Sequence, residues 1–139
     1  LLILILTSPH MAIAYWCIVL AAFLPYLWVT IGKSAVKGYD NRNPRGWVAE
    51  QSHPRLQRGN AAHLNAFEAF APFAAGVLMA QAAGLDPFRI TVLALVFLAA
   101  RILHGVFYLA DMHMLRSLSW LIGIVCVALL MMQAAMRVG

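Results

Sequence analysis

The sequence predicts an all-α integral membrane protein, an antiparallel bundle of four transmembrane helices. Three observations predict it. Of 139 residues 63% are hydrophobic and only 11% charged, whereas a soluble domain is about half apolar and about a quarter charged. The mean hydropathy is +0.81, and so short a chain has no interior large enough to hide that apolar surface. The apolar residues also fall into four stretches, each long enough to cross a hydrocarbon core of about 30 Å at about 1.5 Å per residue.

Taken in order, Leu1–His10 (LLILILTSPH) is a short apolar run stopped by Thr7, Ser8 and Pro9. It lacks the basic start of a secretory signal and is expected to be a tag or upstream segment, with a single four-helix membrane domain over 11–139. The first span is expected at 11–31, with Trp16, Tyr26 and Trp28 towards its ends, as interfacial aromatics stand, and a bend at Pro25. The polar loop 32–57 carries Lys33, Lys37, Arg42, Arg45 and Arg55 against Asp40 and Glu50. By the positive-inside rule this loop is cytoplasmic. The second span, 58–83, stops at Gly84. Asp86-Pro87 then reads as a helix start, and the third span covers 87–111. A turn at 112–115, also cytoplasmic, leads into the fourth span, 116–136. Short connections make neighbours antiparallel. The net charge of +5 comes largely from loop residues and is a topology signal, not the interleaved basic face of a nucleic-acid binder. Cys17 and Cys126 lie in apolar runs without CxxC spacing and read as small core residues. His63 and His113 belong to no set with metal-ligand spacing.

The stretch RGNAAHLNAFEAFAPF, Arg58 to Phe73, sits where a span should be and yet holds Asn65, Glu68 and Pro72. A carboxylate in hydrocarbon costs at least a few kcal/mol, so it has a partner or a task. Asn65 and Glu68 share a helix side, and Pro72 has no N–H for the Glu68 carbonyl. On the third helix Arg101, His104 and Tyr108 form one stripe. Arg101 and Glu68 each lie ten residues from the cytoplasmic end of their spans, roughly 15 Å deep, and are expected to form a structural ion pair completed by Asn65 and His104. Nearer the cytoplasm, Arg58, Tyr108, Arg116 and Ser117, with the N–H groups opening the fourth helix, are expected to form an anion pocket. Taken alone, Arg58 reads as an interfacial anchor.

Arg58, Asn65, Glu68, Pro72 and Phe73, followed by Arg101, His104 and Tyr108 and then Arg116-Ser117, resemble the MAPEG family. This family comprises the membrane-associated proteins of eicosanoid and glutathione metabolism. It includes microsomal glutathione transferases, leukotriene-forming synthases and the microsomal prostaglandin E synthase. The resemblance runs from Met11 to the C-terminus, and the small size and the loop YDNRNPR look like its bacterial branch. It implies a left-handed four-helix bundle assembled as a homotrimer in the bacterial inner membrane, with glutathione held between subunits on the cytoplasmic side. Arg58, Asn65, Glu68, Arg101, His104 and Tyr108 would then hold the tripeptide. Arg116 would favour its thiolate, Ser117 would hydrogen-bond the sulfur, and a lipophilic cosubstrate would enter from the bilayer.

Three positions depart from the family pattern. Ala61 stands where a second arginine is frequent, Trp120 where a tyrosine is common, and Lys33 and Lys37 compete for one basic position at the end of the first helix. The resemblance implies a glutathione-dependent transferase or peroxidase. Ala61 and Trp120 favour the alternative, a non-catalytic member that binds lipid, a small anion or a partner complex. A third reading, a small proton-coupled exporter, requires Glu68 to be unpaired, and Arg101 at matching depth argues against it.

Overall fold

Four of the five helices among the described residues begin at a proline. The computed structural model describes residues 9–139: α1 (Pro9–Lys33), α2 (Pro44–Glu50), α3 (Pro54–Ala82), α4 (Pro87–Leu109) and α5 (His113–Val138). Proline suits the first turn because the N–H it lacks would have no helical partner there. In three cases the residue before it caps the helix by accepting a backbone N–H. Asn43 accepts from Gly46 at 3.1 Å, His53 from Arg55 at 3.2 Å, and Asp86 from Phe88 at 3.4 Å. Helix α5 follows Met112 and has no side-chain cap.

Four long helices cover the stretches 11–31, 58–83, 87–111 and 116–136 to within a few residues. Of the expected upstream segment, residues 1–8 lie outside the described residues, while Pro9 and His10 form the start of α1. His10 is tied to the bundle there: the Thr91 hydroxyl donates to its carbonyl at 2.6 Å. Helix α2 is an addition to the expectation. Within the expected polar loop, Asn43-Pro44 is a cap followed by a first-turn proline, and the seven residues of α2 bury none of their side chains.

α1 packs on α3 and α4, α5 packs on the same two helices, and α3 and α4 touch each other between them. Near the middle of that central pair the Phe73 and Phe97 rings stack at 3.9 Å with only 10° between their planes. Towards the α2 end, the backbones of α1 and α3 approach closely, so that a Cβ on Gly59 would stand 2.7 Å from the Gly32 Cα. Trp28 lies buried over Gly105, where a Cβ would overlap its ring. His63 crosses to α1, its Nδ1 lying 2.8 Å from the Pro25 carbonyl. A carbonyl only accepts, so this nitrogen carries the proton.

Three of the helices, α1, α4 and α5, are long and apolar enough to cross a membrane. Their outer faces expose large apolar side chains, among them Trp16, Phe23 and Met132, each at least 60% exposed. α5 commits only a narrow stripe to the core, namely Ser119, Gly123, Cys126, Val127, Leu130 and Ala134. α3 has the length, at 29 residues, but Arg58, Asn60, His63, Asn65 and Glu68 make its first half polar.

The close approach of α1 and α3 makes a direct test. Gly59→Ala should destabilise the fold by about 1–3 kcal/mol, because the obstacle is backbone, which yields little. Gly123→Ala, whose Cβ would meet the Arg101 side chain at an ordinary 3.5 Å, should unfold close to the wild-type temperature. Thermal unfolding in detergent micelles compares the two.

Candidate functional site

α3, α4 and α5 line two adjoining, partly open cavities that share Asn65 and Trp120 as walls. The deeper one, of about 190 Å³, is bounded by Glu68, Arg101 and an apolar surface that includes Pro72, Phe97 and Ile124. The other, of about 220 Å³, lies toward the α4–α5 turn and is bounded by His104, Tyr108, Arg116 and Ser117. Seven of the eight residues singled out from the sequence therefore line one continuous tract. Arg58 lines neither cavity and instead ion-pairs with Asp111 at 3.1 Å.

Arg101 is only 3% exposed. Its Nη2 donates to Asn65 Oδ1 at 2.8 Å, and its Nε has no partner in the chain. This corrects the expected Arg101–Glu68 ion pair. Among the described residues the one ion pair within 4.0 Å is Arg58–Asp111. Both Glu68 and Arg101 do line the deeper cavity, so the level inferred from helical rise is right. Rise does not fix direction around the helix, where residues three apart differ by about 60°. Asn65 faces the guanidinium, and Glu68 turns to the exposed side of the bundle.

His104 is also 3% exposed, and its Nδ1 has no partner. Its ring meets the Tyr108 ring edge-on at 5.5 Å, and the Arg116 guanidinium lies 4.5 Å from the centre of that same ring. His104, Tyr108 and Arg116 thus form a column in which aromatic surface holds a cation in place. Arg116 is half-buried and Ser117 exposed in the first turns of α5, the helix whose start has no side-chain cap. Two arginines face one carboxylate across the tract, a balance that suits a ligand with more anionic than cationic groups. Of the lysines that compete at the end of the first helix, Lys33 lies over the Tyr39 ring at 4.4 Å, away from both cavities.

The apolar part of the deeper cavity, from Phe97, Gly123, Ile124 and Val127, was not anticipated from sequence, nor was Asp111. The first four read as ordinary span residues. The signal at Asp111 is an acidic residue at the position just past a helix end, where glycine is usual.

Three helices long and apolar enough to cross a membrane, with large apolar side chains on their outer faces, make this an integral membrane protein whose described residues are helical apart from short connections. The family model described as MAPEG family matches residues 13–136, nearly the whole chain, and the chain belongs to that family. No curated protein matches it.

The hydrogen bond that holds Arg101 has a measurable weight. Asn65→Ala removes the partner of the buried guanidinium and should destabilise the protein by about 1–3 kcal/mol, seen as a lower midpoint of thermal unfolding in detergent. Ser117→Ala, at an exposed site of the same tract, should leave that midpoint unchanged.

Proposed function

We propose that the chain is a glutathione-dependent transferase or peroxidase of the membrane, acting on lipophilic electrophiles or hydroperoxides as a homotrimer of four-span bundles. In this reading α3 is the fourth span. The loop 32–57 and the turn 112–115 face the cytoplasm, in keeping with the basic residues of that loop, and the membrane is the bacterial inner membrane.

The observation that carries the proposal is that, of three buried, unpartnered side-chain nitrogens among the described residues, two, Arg101 Nε and His104 Nδ1, belong to residues that line the tract. A polar atom shielded from water and left unpaired is costly, so these positions fit a group supplied from outside the chain. Arg101 lines one cavity and His104 the other. Each cavity is smaller than the few hundred Å³ of a typical ligand site, and the shared walls allow one elongated molecule to occupy both. Glutathione, with two carboxylates, one ammonium and two amides, matches the balance of charges. Arg101 and Asn65 would hold a carboxylate or amide in the deeper part, with Glu68 for the ammonium, and His104 and Tyr108 would serve the middle of the molecule. Arg58 would serve a second carboxylate at the mouth.

Glutathione supplies the thiol. The chain's own contribution is Arg116, a cation fixed over the Tyr108 ring. A neighbouring positive charge favours thiolate over thiol, and the thiolate is the nucleophile. Ser117 adds a hydrogen-bond donor beside it. The apolar wall of Phe97, Ile124 and Val127 excludes water and suits a cosubstrate that arrives through the bilayer. Glu68 supports the assembly: a carboxylate on the exposed side of a bundle in lipid costs a few kcal/mol, and a neighbouring subunit offers cover.

Trp120 favours a second reading, a non-catalytic family member that binds lipid or a partner complex. Its indole walls both cavities and replaces a hydroxyl common in the family.

Titrating glutathione into the purified protein while following ultraviolet thiolate absorbance separates the two. The expected result is a saturable signal whose amplitude falls about tenfold or more in Arg116→Ala, as loss of an adjacent cation requires, with the oligomer intact. A folded trimer that gives no signal would establish the non-catalytic reading.

A further inference from the structure

Two turns of the bundle close with one hydrogen-bond pattern and differ at one residue. At the end of α3 the Gly84 N–H donates to the Gln81 carbonyl and the Leu85 N–H to that of Ala80, both at 3.0 Å. At the end of α4 the Asp111 N–H donates to Tyr108 at 3.2 Å and the Met112 N–H to Phe107 at 2.9 Å. This motif places its central residue in the left-handed region, where glycine is usual, and Gly84 has φ +75°. Asp111 takes the same place at φ 60°, the one non-glycine residue with positive φ among those described. Its backbone is less at ease there than a glycine would be. What the aspartate adds is its carboxylate, which accepts from Arg58 Nη2 at 3.1 Å.

The pair stands beyond the outer cavity, on the side of the α4–α5 turn. Asp111 lies three residues after Tyr108 and five before Arg116, both of which line the outer cavity. Arg58 lies seven residues before Asn65 on α3, two turns along the same face, or about 10 Å. The side chains are 33% and 68% exposed for Arg58 and Asp111, so water competes for both and the pair is readily exchanged.

We infer that Asp111 is a specificity-determining residue, a built-in carboxylate that occupies Arg58 at the mouth and that any ligand carboxylate must displace to use this arginine. The inference rests on the reading that Arg58 meets the ligand. A ligand with an anionic end gains at the mouth only the difference between its own carboxylate and that of Asp111. A ligand without one passes an already neutralised entrance.

The test uses Asp111→Asn, because asparagine also tolerates the left-handed conformation and the turn is kept. Glutathione affinity is measured by thiolate absorbance for the full-length wild type and for Asp111→Asn, each with and without Arg58→Ala. In parallel, the rate at which phenylglyoxal modifies Arg58 is followed by peptide mass spectrometry in the two proteins that retain it. The expected result is glutathione binding about two- to fivefold tighter in Asp111→Asn, the range of an exposed ion pair. That gain should vanish in the Arg58→Ala background, and modification of Arg58 should accelerate by a similar factor. Equal affinity of wild type and Asp111→Asn, or an equal gain without Arg58, would overturn the inference while leaving the glutathione reading in place. If neither protein binds glutathione, that reading fails alone, and the modification rates still decide whether Asp111 masks Arg58. Acceleration supports the mask, and equal rates overturn it.

Discussion

The buried guanidinium of Arg101 is the constraint on which the site depends. A charged group at this depth is tolerated only where its donors are met, and the chain meets them in part. Asn65 takes one donor, and Nε is left without a partner. The hydrogen bond fixes α3 against α4 at the level where the two cavities join. Below it the stacked Phe73 and Phe97 rings fill the space between the same helices. Above it Trp28 fills the notch over Gly105. Polar and apolar packing thus hold the central pair in register on either side of one unfinished polar group.

That unfinished group agrees with the family to which the chain belongs. The column of His104, Tyr108 and Arg116 repeats the pattern nearer the entrance, with a cation held by aromatic surface and a ring nitrogen without a partner. In both places a cation is held beside a buried nitrogen that has no hydrogen-bond partner within the chain.

Much of this was legible in the residues. Proline and glycine marked the helix ends because their backbone constraints are local, and a stripe at helical spacing placed Arg101, His104 and Tyr108 on one face. Two kinds of information were not local. Helical rise put Glu68 and Arg101 at one level but left open which neighbour turns inward, and Asn65 proved to be the partner. Pairings between distant segments, such as Arg58 with Asp111 and His63 with the Pro25 carbonyl, depend on how whole helices dock. Helix α2 escaped notice for a different reason: with no buried side chain, its sequence carries no apolar period. The apolar wall of the deeper cavity was hidden because every residue of it also suits a span.

The narrow core stripe of α5 has a consequence for how such a protein changes over evolution. Arg101 and His104 are embedded between helices, so replacing them disturbs the fold along with the site. Ser117, Trp120 and Ile124 line the same tract from positions outside the α5 core stripe, where substitution leaves the packing untouched. One wall of the tract is therefore tied to the packing of the bundle, and much of the opposite wall is not. Substitutions on α5 can thus reshape the tract without repacking the bundle.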